Sequence, residues 1–330
     1  MKLEAATRYV EGTILPAMGI QGRAFTISPP PEGGTRSSLF LTRIEGMPPL
    51  LLRAFQHRRQ AVRNAEALRH LDQLELPAPR LVFHDLSRRS RLLPAAEGPL
   101  PYVTVETWIE GTRHASIVDP DLAGSTALEV AALLARFHGA TRAGWGRPGS
   151  ELRGRLRSFV SYTMSGSRRI ADSLASTGWL GRDEARTVIS RFASWREVVG
   201  RLDTFNLVHN DANRHNFVVT ASGDVVPVDL HRLAYEPFVE EVVNALYHFC
   251  RKDTELAERF LAAYFARSSE RSREIFETTR GFFEPLNYLK KMYRRGTQPP
   301  GGRLERSDPK MARWKEIVLA MGEGPRWPSR

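Results

Sequence analysis

The N-terminal third of the chain alternates between short apolar runs and polar turns. This pattern predicts β-strands. Four such runs predict strands at residues 23–28, 38–44, 50–55 and 80–85, and a fifth strand begins at Tyr102 and leads to a glycine turn at Gly111. Between them, residues 56–74 place apolar positions three or four apart, which predicts one helix. We therefore expect a five-stranded sheet with one main helix.

The rest of the chain has mostly helical spacing. Long helical patterns cover residues 119–140, 151–200, 236–267 and 271–293. Pro285 is expected to kink or split the last of these helices. The tail from Gly296 is rich in proline, glycine and charged residues. The predicted fold class is α+β, with a first domain at residues 1–107 and a helical domain at 108–330.

One segment of this helical region has a different pattern. Two short apolar runs, residues 217–219 and 225–228, flank residues 221–224, which have the composition of a tight turn. Such a hairpin places Asn216 at the start of one strand and Asp229 at the end of its partner. Strand pairing is therefore expected to bring these two side chains near each other.

These residue types fit phosphoryl transfer. An amide oxygen and a carboxylate suit Mg²⁺, which prefers hard oxygen ligands and keeps several waters. Asp211, five residues before Asn216, is placed to accept a proton from an attacking hydroxyl. The alternative is an ordinary hairpin with polar residues capping its ends. That alternative predicts no further match elsewhere in the chain.

The segment from His209 to Asn216, with Asp211 between them and Asp229 downstream, resembles the catalytic and metal-binding segments of the protein-kinase-like superfamily. It is most similar to the aminoglycoside phosphotransferase and small-molecule kinase branch. The resemblance implies a two-lobed fold with a small antiparallel-sheet N-lobe and a mostly helical C-lobe. It also implies that ATP and Mg²⁺ are the cofactors, that Asp211 is the catalytic base, and that Asn216 and Asp229 bind the metal.

Upstream residues can be assigned to the parts that such a kinase needs. The loop at Gly33, Gly34 and Thr35 permits close approach of backbone amides to phosphate, although a plain hairpin turn is the alternative. In the family, the strand beginning at Tyr102 leads to the hinge that binds adenine. The resemblance therefore places backbone contacts to the base at residues 106–108, including Glu106 and Trp108.

A phosphate-binding cation is expected on the third strand. No lysine occurs between residues 3 and 251, and Arg53 is central in that strand. Arginine binds phosphate bidentately and keeps its charge, so Arg53 is the candidate, with an outward-facing arginine as the alternative. Glu66 is the only acid between Glu45 and Asp72, which makes it the expected partner of Arg53. Its alternative role is a helix-surface pair with Arg63 or Arg69.

Composition limits the remaining classes of protein. A chain of 330 residues with 42% hydrophobic and 26% charged residues is typical of a globular protein. No apolar run is long enough to span a membrane, and residues 1–8 lack the apolar core of a signal peptide. The single cysteine, Cys250, excludes an internal disulfide and is expected to be a buried, inert thiol. We expect a cytoplasmic protein.

The net charge of +11 bears on the acceptor. Residues 151–170 carry five arginines against one acid, and residues 286–330 carry eleven basic residues against four acids. The resemblance places both segments around the acceptor, so we expect a neutral or anionic small molecule or glycan rather than a polycation. A solvated basic tail is the alternative. For the whole protein, the alternative is a catalytically silent kinase-fold component similar to spore-coat kinase-like proteins, and nucleic-acid binding is a distant third.

Overall fold

The computed structural model describes residues 3–31, 38–87, 102–148, 159–202, 204–251, 253–297 and 308–322. The chain forms two compact units. The first comprises Met1–Thr126 and Arg214–Leu233, and the second comprises Ala127–Asn213 and Ala234–Arg330. The first unit therefore extends beyond the boundary expected at residue 107 and takes in the predicted hairpin.

The first unit contains the expected five-stranded antiparallel sheet, in the spatial order β1-β2-β3-β5-β4. The strands are β1 (Phe25–Ser28), β2 (Ser38–Ile44), β3 (Leu50–Phe55), β4 (Leu81–Asp85) and β5 (Tyr102–Thr107). The helices are α1 (Leu3–Tyr9), α2 (Leu15–Ala17) and α3 (Arg58–Gln73), with a π-helical turn at Val10–Ile14 between the first two. The bounds of β2 and β3 are those predicted from the alternating pattern.

The central strand of this sheet is β3, which pairs with β2 on one side and β5 on the other. All six of its residues are buried. One face joins a core cluster that the N-terminal helices cover, formed by Ala6, Tyr9, Val10, Ile14, Leu15, Leu50, Leu52, Val103 and Val105. A strand covered on both faces shows no alternation of apolar and polar positions. Arg53 is therefore an interior side chain.

The predicted hairpin is present and forms its own small sheet. Its strands are β9 (Phe217–Val219) and β10 (Val225–Pro227), and β9 also pairs with β6 (Thr112–Arg113). Gly111, with φ +154°, enters β6 so close to β9 that a Cβ atom there would overlap the Val219 carbonyl oxygen. This close approach requires glycine at the end of the segment that follows β5.

The second unit is mainly helical. Helix α4 (Pro120–Gly139) begins in the first unit and ends in the second. A small sheet has the order β11-β8-β7, with β7 at Thr141–Arg142, β8 at Phe205–Val208 and β11 at Ala234–Glu236. The remaining helices are α5 (Phe159–Ser176), α6 (Arg182–Ser194), α7 (Arg196–Gly200), α8 (Phe238–Ala245), α9 (Thr254–Phe265), α10 (Glu270–Thr297) and α11 (Pro309–Leu319).

Helix α10 is a central helix of the second unit and packs against α5, α8 and α11. It continues through Pro285, so the predicted kink or split does not interrupt the helix. Proline in a helix interior costs about 3 kcal/mol. The residues around it, Phe282, Phe283, Leu286 and Leu289, are all fully buried or nearly so. Burial of each large apolar side chain contributes about 1.5–3 kcal/mol, which outweighs the proline penalty.

Two further elements differ from the predicted pattern. The helix expected at 236–267 is interrupted, because a π-helical turn at Leu246–Cys250 ends at Arg251, which has a positive φ of 53°. Part of the tail forms a helix, α11, and this helix buries the side chains of Met311, Trp314 and Val318. An ion pair between Arg295 and Asp308 links α11 to α10. Across the described ranges, no helix is both long and apolar enough to cross a membrane.

Candidate active site

The hairpin in the first unit brings the ends of its two strands together as predicted. The Val228 amide donates to the Asn216 carbonyl at 2.9 Å, one step beyond the last strand pair. Asn216 is buried, and Asp229 has a left-handed backbone with φ +63°. Aspartate is one of the few residue types that adopts this conformation at low cost. The turn out of β10 thus depends on the residue type at 229.

Arg53 ion-pairs with Asp229. Its Nη1 donates to Asp229 Oδ1 at 2.9 Å, and its Nη2 donates to Glu106 Oε1 at 3.2 Å. Burial opposes the charge of Arg53, but Glu106 and Asp229 together keep its pKa above the ordinary value. The His231 ring also contacts Asp229 Oδ1, at 2.9 Å. The outward-facing interpretation of Arg53 is therefore wrong.

Besides Asp229, the carboxylate that pairs with Arg53 is Glu106 rather than the expected Glu66. Helix α3 contributes Asn64 instead, whose Nδ2 donates to Glu106 Oε2 at 2.9 Å and to Thr104 Oγ1 at 3.1 Å. The expectation for Glu66 rested on its being the only acid in the interval, and a strand carboxylate outside that interval takes the role. Glu66 is half-buried on α3.

Part of the backbone around the expected hinge is already hydrogen-bonded within the protein. The amide of Thr107 donates to the Arg80 carbonyl at 2.9 Å, and the amide of Trp108 donates to the Pro49 carbonyl at 2.9 Å. These two amides therefore have acceptors already. Adenine binding by this segment stays a prediction, and it concerns the carbonyl groups of residues 106–108. Glu106 itself contributes a buried side chain to the Arg53 ion pair.

The loop at Gly33, Gly34 and Thr35 lies outside the described residues, so its predicted phosphate contacts stay a prediction. Arg214, three residues after Asp211 in the sequence, is hydrogen-bonded within the first unit. Its Nε donates to His114 Nδ1 at 3.0 Å and its Nη2 to the His114 carbonyl at 3.3 Å. Burial, together with the charge of Arg214, lowers the pKa of His114 to about 4. His114 is thus a neutral acceptor for Arg214.

The donor set fits a metal–nucleotide complex. Within the described ranges, no three His, Cys, Asp or Glu side chains converge on one point. Asn216 and Asp229 supply one amide oxygen and one carboxylate, which suits an Mg²⁺ ion that completes its shell with water and phosphate oxygens. The Nε of Arg53 is buried and has no acceptor among the described residues, so this cation retains a donor for an anion.

In the second unit, a buried carboxylate holds the segment that carries Asp211. Glu241 on α8 accepts from the His209 amide through Oε2 at 2.9 Å and from the Asn210 amide through Oε1 at 2.5 Å. The His138 ring contacts Glu241 Oε2 at 3.0 Å, and its other nitrogen contacts the Tyr264 hydroxyl at 2.7 Å. His138 is therefore held by two partners inside the second unit. We did not predict Glu241 from the sequence, although a glutamate on the apolar side of α8 was the available signal.

Asp211 opens into a cleft of the second unit with an empty volume of about 570 Å³, including its mouth. Its carboxylate Oδ1 accepts from Asn213 Nδ2 at 3.1 Å. The charged residues that line the cleft are Asp211, Glu236, Glu240, Glu241, Lys290, Lys291 and Arg294. The cleft is thus mixed in charge.

The cleft corrects the charge argument made from whole segments. Helix α10 supplies all three of its cations, and none of the described residues of 151–170 lines it. Net segment charge does not specify which side chains face a cavity. Part of the tail is also packed rather than solvated, because Lys315 on α11 pairs with Glu184 at 2.7 Å.

Cys250 is buried, and burial raises the pKa of its thiol to about 12. The burial expected for Cys250 is confirmed, and a raised thiol pKa agrees with the expected low reactivity.

Glu236 is expected to make the free energy of unfolding depend on pH. Burial, followed by the charge of Glu240, raises the pKa of Glu236 to about 7, whereas an unfolded glutamate titrates near about 4.3. The stabilising contribution is fully present below the unfolded pKa and is lost as pH rises through about 7. Glu236→Gln should therefore lose less stability than the unmodified protein between pH 5 and pH 8. Melting temperatures at four pH values test this, and parallel pH profiles for the two proteins contradict it.

The five-stranded antiparallel sheet of the first unit and the mainly helical second unit are those of a protein-kinase-like fold. The sequence of residues 27–275 matches the model of APH, a phosphotransferase enzyme family. This match covers more than half of the chain, so the chain belongs to that family. No curated protein matches the sequence.

Solved structures with a similar fold include several kinases. One is a thermostable mutant of aminoglycoside phosphotransferase APH(4)-Ia in a ternary complex with ADP and hygromycin B, at 17% identity and TM-score 0.64, covering 95% of this chain and 99% of that one. Another is an ethanolamine kinase from Plasmodium vivax, at 13% identity and TM-score 0.59, covering 95% and 86%. A putative fructosamine-3-kinase from Thermobifida fusca has 14% identity and TM-score 0.58, covering 94% and 97%. At these identities the likeness extends to the fold alone.

Proposed function

We propose that this protein is an Mg²⁺-dependent phosphotransferase that moves the γ-phosphate of ATP to a hydroxyl of a small molecule or glycan, and that the acceptor is neutral or anionic rather than polycationic. The observation that carries the proposal is Asp211 at the wall of a cleft of mixed charge, on a segment held by Glu241. Family membership supports phosphotransfer and does not favour the silent structural component.

Each proposed role follows from the chemistry of the residue. Asn216 and Asp229 hold the metal, which when bound neutralises charge on the phosphates. Arg53 binds phosphate oxygens, and Glu106 keeps its guanidinium in place. Arg53 donates a hydrogen bond to Asp229 in this structure. That hydrogen bond changes when Asp229 binds the metal and Arg53 binds phosphate. The loop at Gly33, Gly34 and Thr35 supplies backbone amides to the phosphates.

Asp211 orients the acceptor hydroxyl and takes its proton as the new oxygen–phosphorus bond forms and the bond from the γ-phosphorus to ADP breaks. Glu241 contributes by fixing the backbone on the N-terminal side of Asp211 with two accepted hydrogen bonds. A base held in this way loses little conformational entropy when the acceptor binds.

The acceptor class can be tested directly. ADP release with Mg²⁺ and ATP is measured for kanamycin-type polyamines, neutral sugars and sugar phosphates, at low and moderate salt. We expect sugars or sugar phosphates to have the higher kcat/KM, because all four cleft carboxylates already have hydrogen-bond partners inside the protein. Preferential turnover of the polyamines contradicts the acceptor assignment. No ADP release above the background with any acceptor counts against phosphotransfer itself.

A further inference from the structure

The α10 wall of the cleft contains two lysines in different electrostatic situations. Lys290 Nζ donates to Glu240 Oε1 at 2.6 Å, so its charge is balanced inside the protein. Lys291 Nζ donates to Asn244 Oδ1 at 2.6 Å and lies 4.4 Å from the centre of the Tyr247 ring. Both contacts of Lys291 are with neutral groups. Among the described residues, no carboxylate lies within ion-pair distance of it.

The position of Lys291 is fixed relative to the catalytic segment. Asn244 accepts from Lys291 through Oδ1 and donates through Nδ2 to the Ala212 carbonyl at 3.1 Å. Ala212 follows Asp211 directly. Burial, together with Arg294, lowers the pKa of Lys291 to about 8, against an opposing effect from Glu240 and Asp211. The ammonium group is thus partly desolvated and incompletely compensated.

One helical turn before Lys291, Asn287 also lines the cleft. Its side chain is only 6% exposed, and its Nδ2 has no acceptor among the residues that the structure describes. A buried amide without an acceptor costs about 1–3 kcal/mol. Such a group on a cavity wall indicates a place for a ligand oxygen.

The cleft carboxylates do not compete for this position. Glu241 uses both oxygens on the backbone of residues 209 and 210, and Glu240 binds Lys290. Glu236 accepts from Asn210 Nδ2 at 3.0 Å. Asp211 is the remaining carboxylate, and its proposed task is the acceptor hydroxyl.

We propose that the acceptor carries an anionic oxygen group, either a carboxylate or a phosphate monoester, which Lys291 and Asn287 bind while a hydroxyl of the same molecule lies at Asp211. This rests on the proposed phosphotransfer, and it narrows the acceptor from neutral or anionic to anionic. A hydroxy acid and a sugar phosphate are small molecules that carry both a hydroxyl and such an anionic group.

The anion site can be tested without turnover. The chain has six lysines, so trace acetylation followed by mass spectrometry resolves each of them. With the nucleotide site saturated by Mg²⁺ and ADP, inorganic phosphate should slow the labelling of Lys291 by at least about threefold relative to chloride at equal ionic strength, because an anion-bound ammonium is a poorer nucleophile. Lys310, exposed on α11, is the internal reference and should not change. Equal labelling of Lys291 in both salts overturns the site.

Kinetics then link the site to the acceptor. Matched pairs of probes, glucose 6-phosphate with glucose and glycerate with glycerol, are compared by ADP release. In the unmodified protein, kcat/KM should be about 10- to 100-fold higher for the anionic member of a productive pair. Lys291→Met should remove that preference while leaving the KM for ATP within about twofold, and Lys291→Arg should retain part of it. Asn287→Leu should reduce the preference less than Lys291→Met does.

Lys310→Met is the matched control, since it removes the same charge from a position outside the cleft. If Lys310→Met lowers the preference for the anionic probe as much as Lys291→Met does, the preference reflects net charge alone. That result overturns the anion site. Phosphate protection of Lys291 without ADP release from any probe counts against phosphotransfer and retains the anion site. If a probe is phosphorylated but phosphate does not protect Lys291 and Lys291→Met does not change the preference, the anion site is overturned. Phosphotransfer is then retained.

Discussion

Replacing Asp229 with alanine is expected to lower Mg²⁺-dependent kcat by at least about 100-fold. The variant loses the only carboxylate among the two proposed metal ligands, and Arg53 loses one of its two ion-pair partners. Steady-state ADP release over a range of Mg²⁺ concentrations measures the effect. An alanine variant with full turnover and an unchanged Mg²⁺ dependence shows that the metal site is assigned to the wrong residue.

A second variant separates metal binding from folding. Alanine at position 229 must adopt φ near +63°, which costs about 1–2 kcal/mol. Asparagine tolerates this backbone conformation and keeps an oxygen that accepts from Arg53, so Asp229→Asn should melt close to the unmodified protein. It should nevertheless lose most of its activity, because a neutral amide binds Mg²⁺ more weakly than a carboxylate does. Thermal melting and ADP release on the same samples distinguish the two effects.

Replacing Asp211 with asparagine is expected to lower kcat by about 10²–10⁴-fold and to leave binding of Mg²⁺ and ATP nearly unchanged. Asparagine has the same shape and retains an oxygen for the Asn213 amide, so the segment should keep its conformation. It cannot accept the proton of the acceptor hydroxyl. Calorimetric titration with a nonhydrolysable ATP analogue, together with steady-state rates, measures both quantities.

Asp224→Asn serves as the matched control, because this carboxylate lies at the exposed hairpin turn and bonds to Ser222. It should keep the unmodified rate. Parallel losses of nucleotide affinity and rate in Asp211→Asn place Asp211 among the metal ligands instead of at the acceptor. An unchanged rate shows that proton acceptance by this residue is not needed.

The sequence alone predicted those parts of the molecule that depend on neighbouring residues. Strands β2 and β3 and the 217–227 hairpin follow from short apolar runs bounded by turn residues, because backbone preference acts within a few residues. The link between Asn216 and Val228 follows from the same register. Arg53 was also predictable, since β3 offers no other cation.

Contacts between distant residues were not predictable in this way. Glu106 meets both Arg53 and Asn64 because β3 is covered on both faces and α3 turns an amide toward β5. Glu241 reaches the Asp211 segment from 30 residues further along the chain, through hydrogen bonds that leave no periodic signal. The assignment of Glu66 failed for this reason, because elimination within one interval ignores residues that fold in from elsewhere.

Tertiary packing also determines the structure at positions where local backbone preference favours a different conformation. Helix α10 continues through Pro285 because its neighbours bury large apolar side chains, and this free energy exceeds the local proline penalty. The orientation of α10 in turn selects which basic residues line the cleft. The summed charge of a segment is a property of the sequence, whereas a lysine such as Lys291 without a carboxylate partner arises only when the helices pack, because packing determines which charges are desolvated and which are paired.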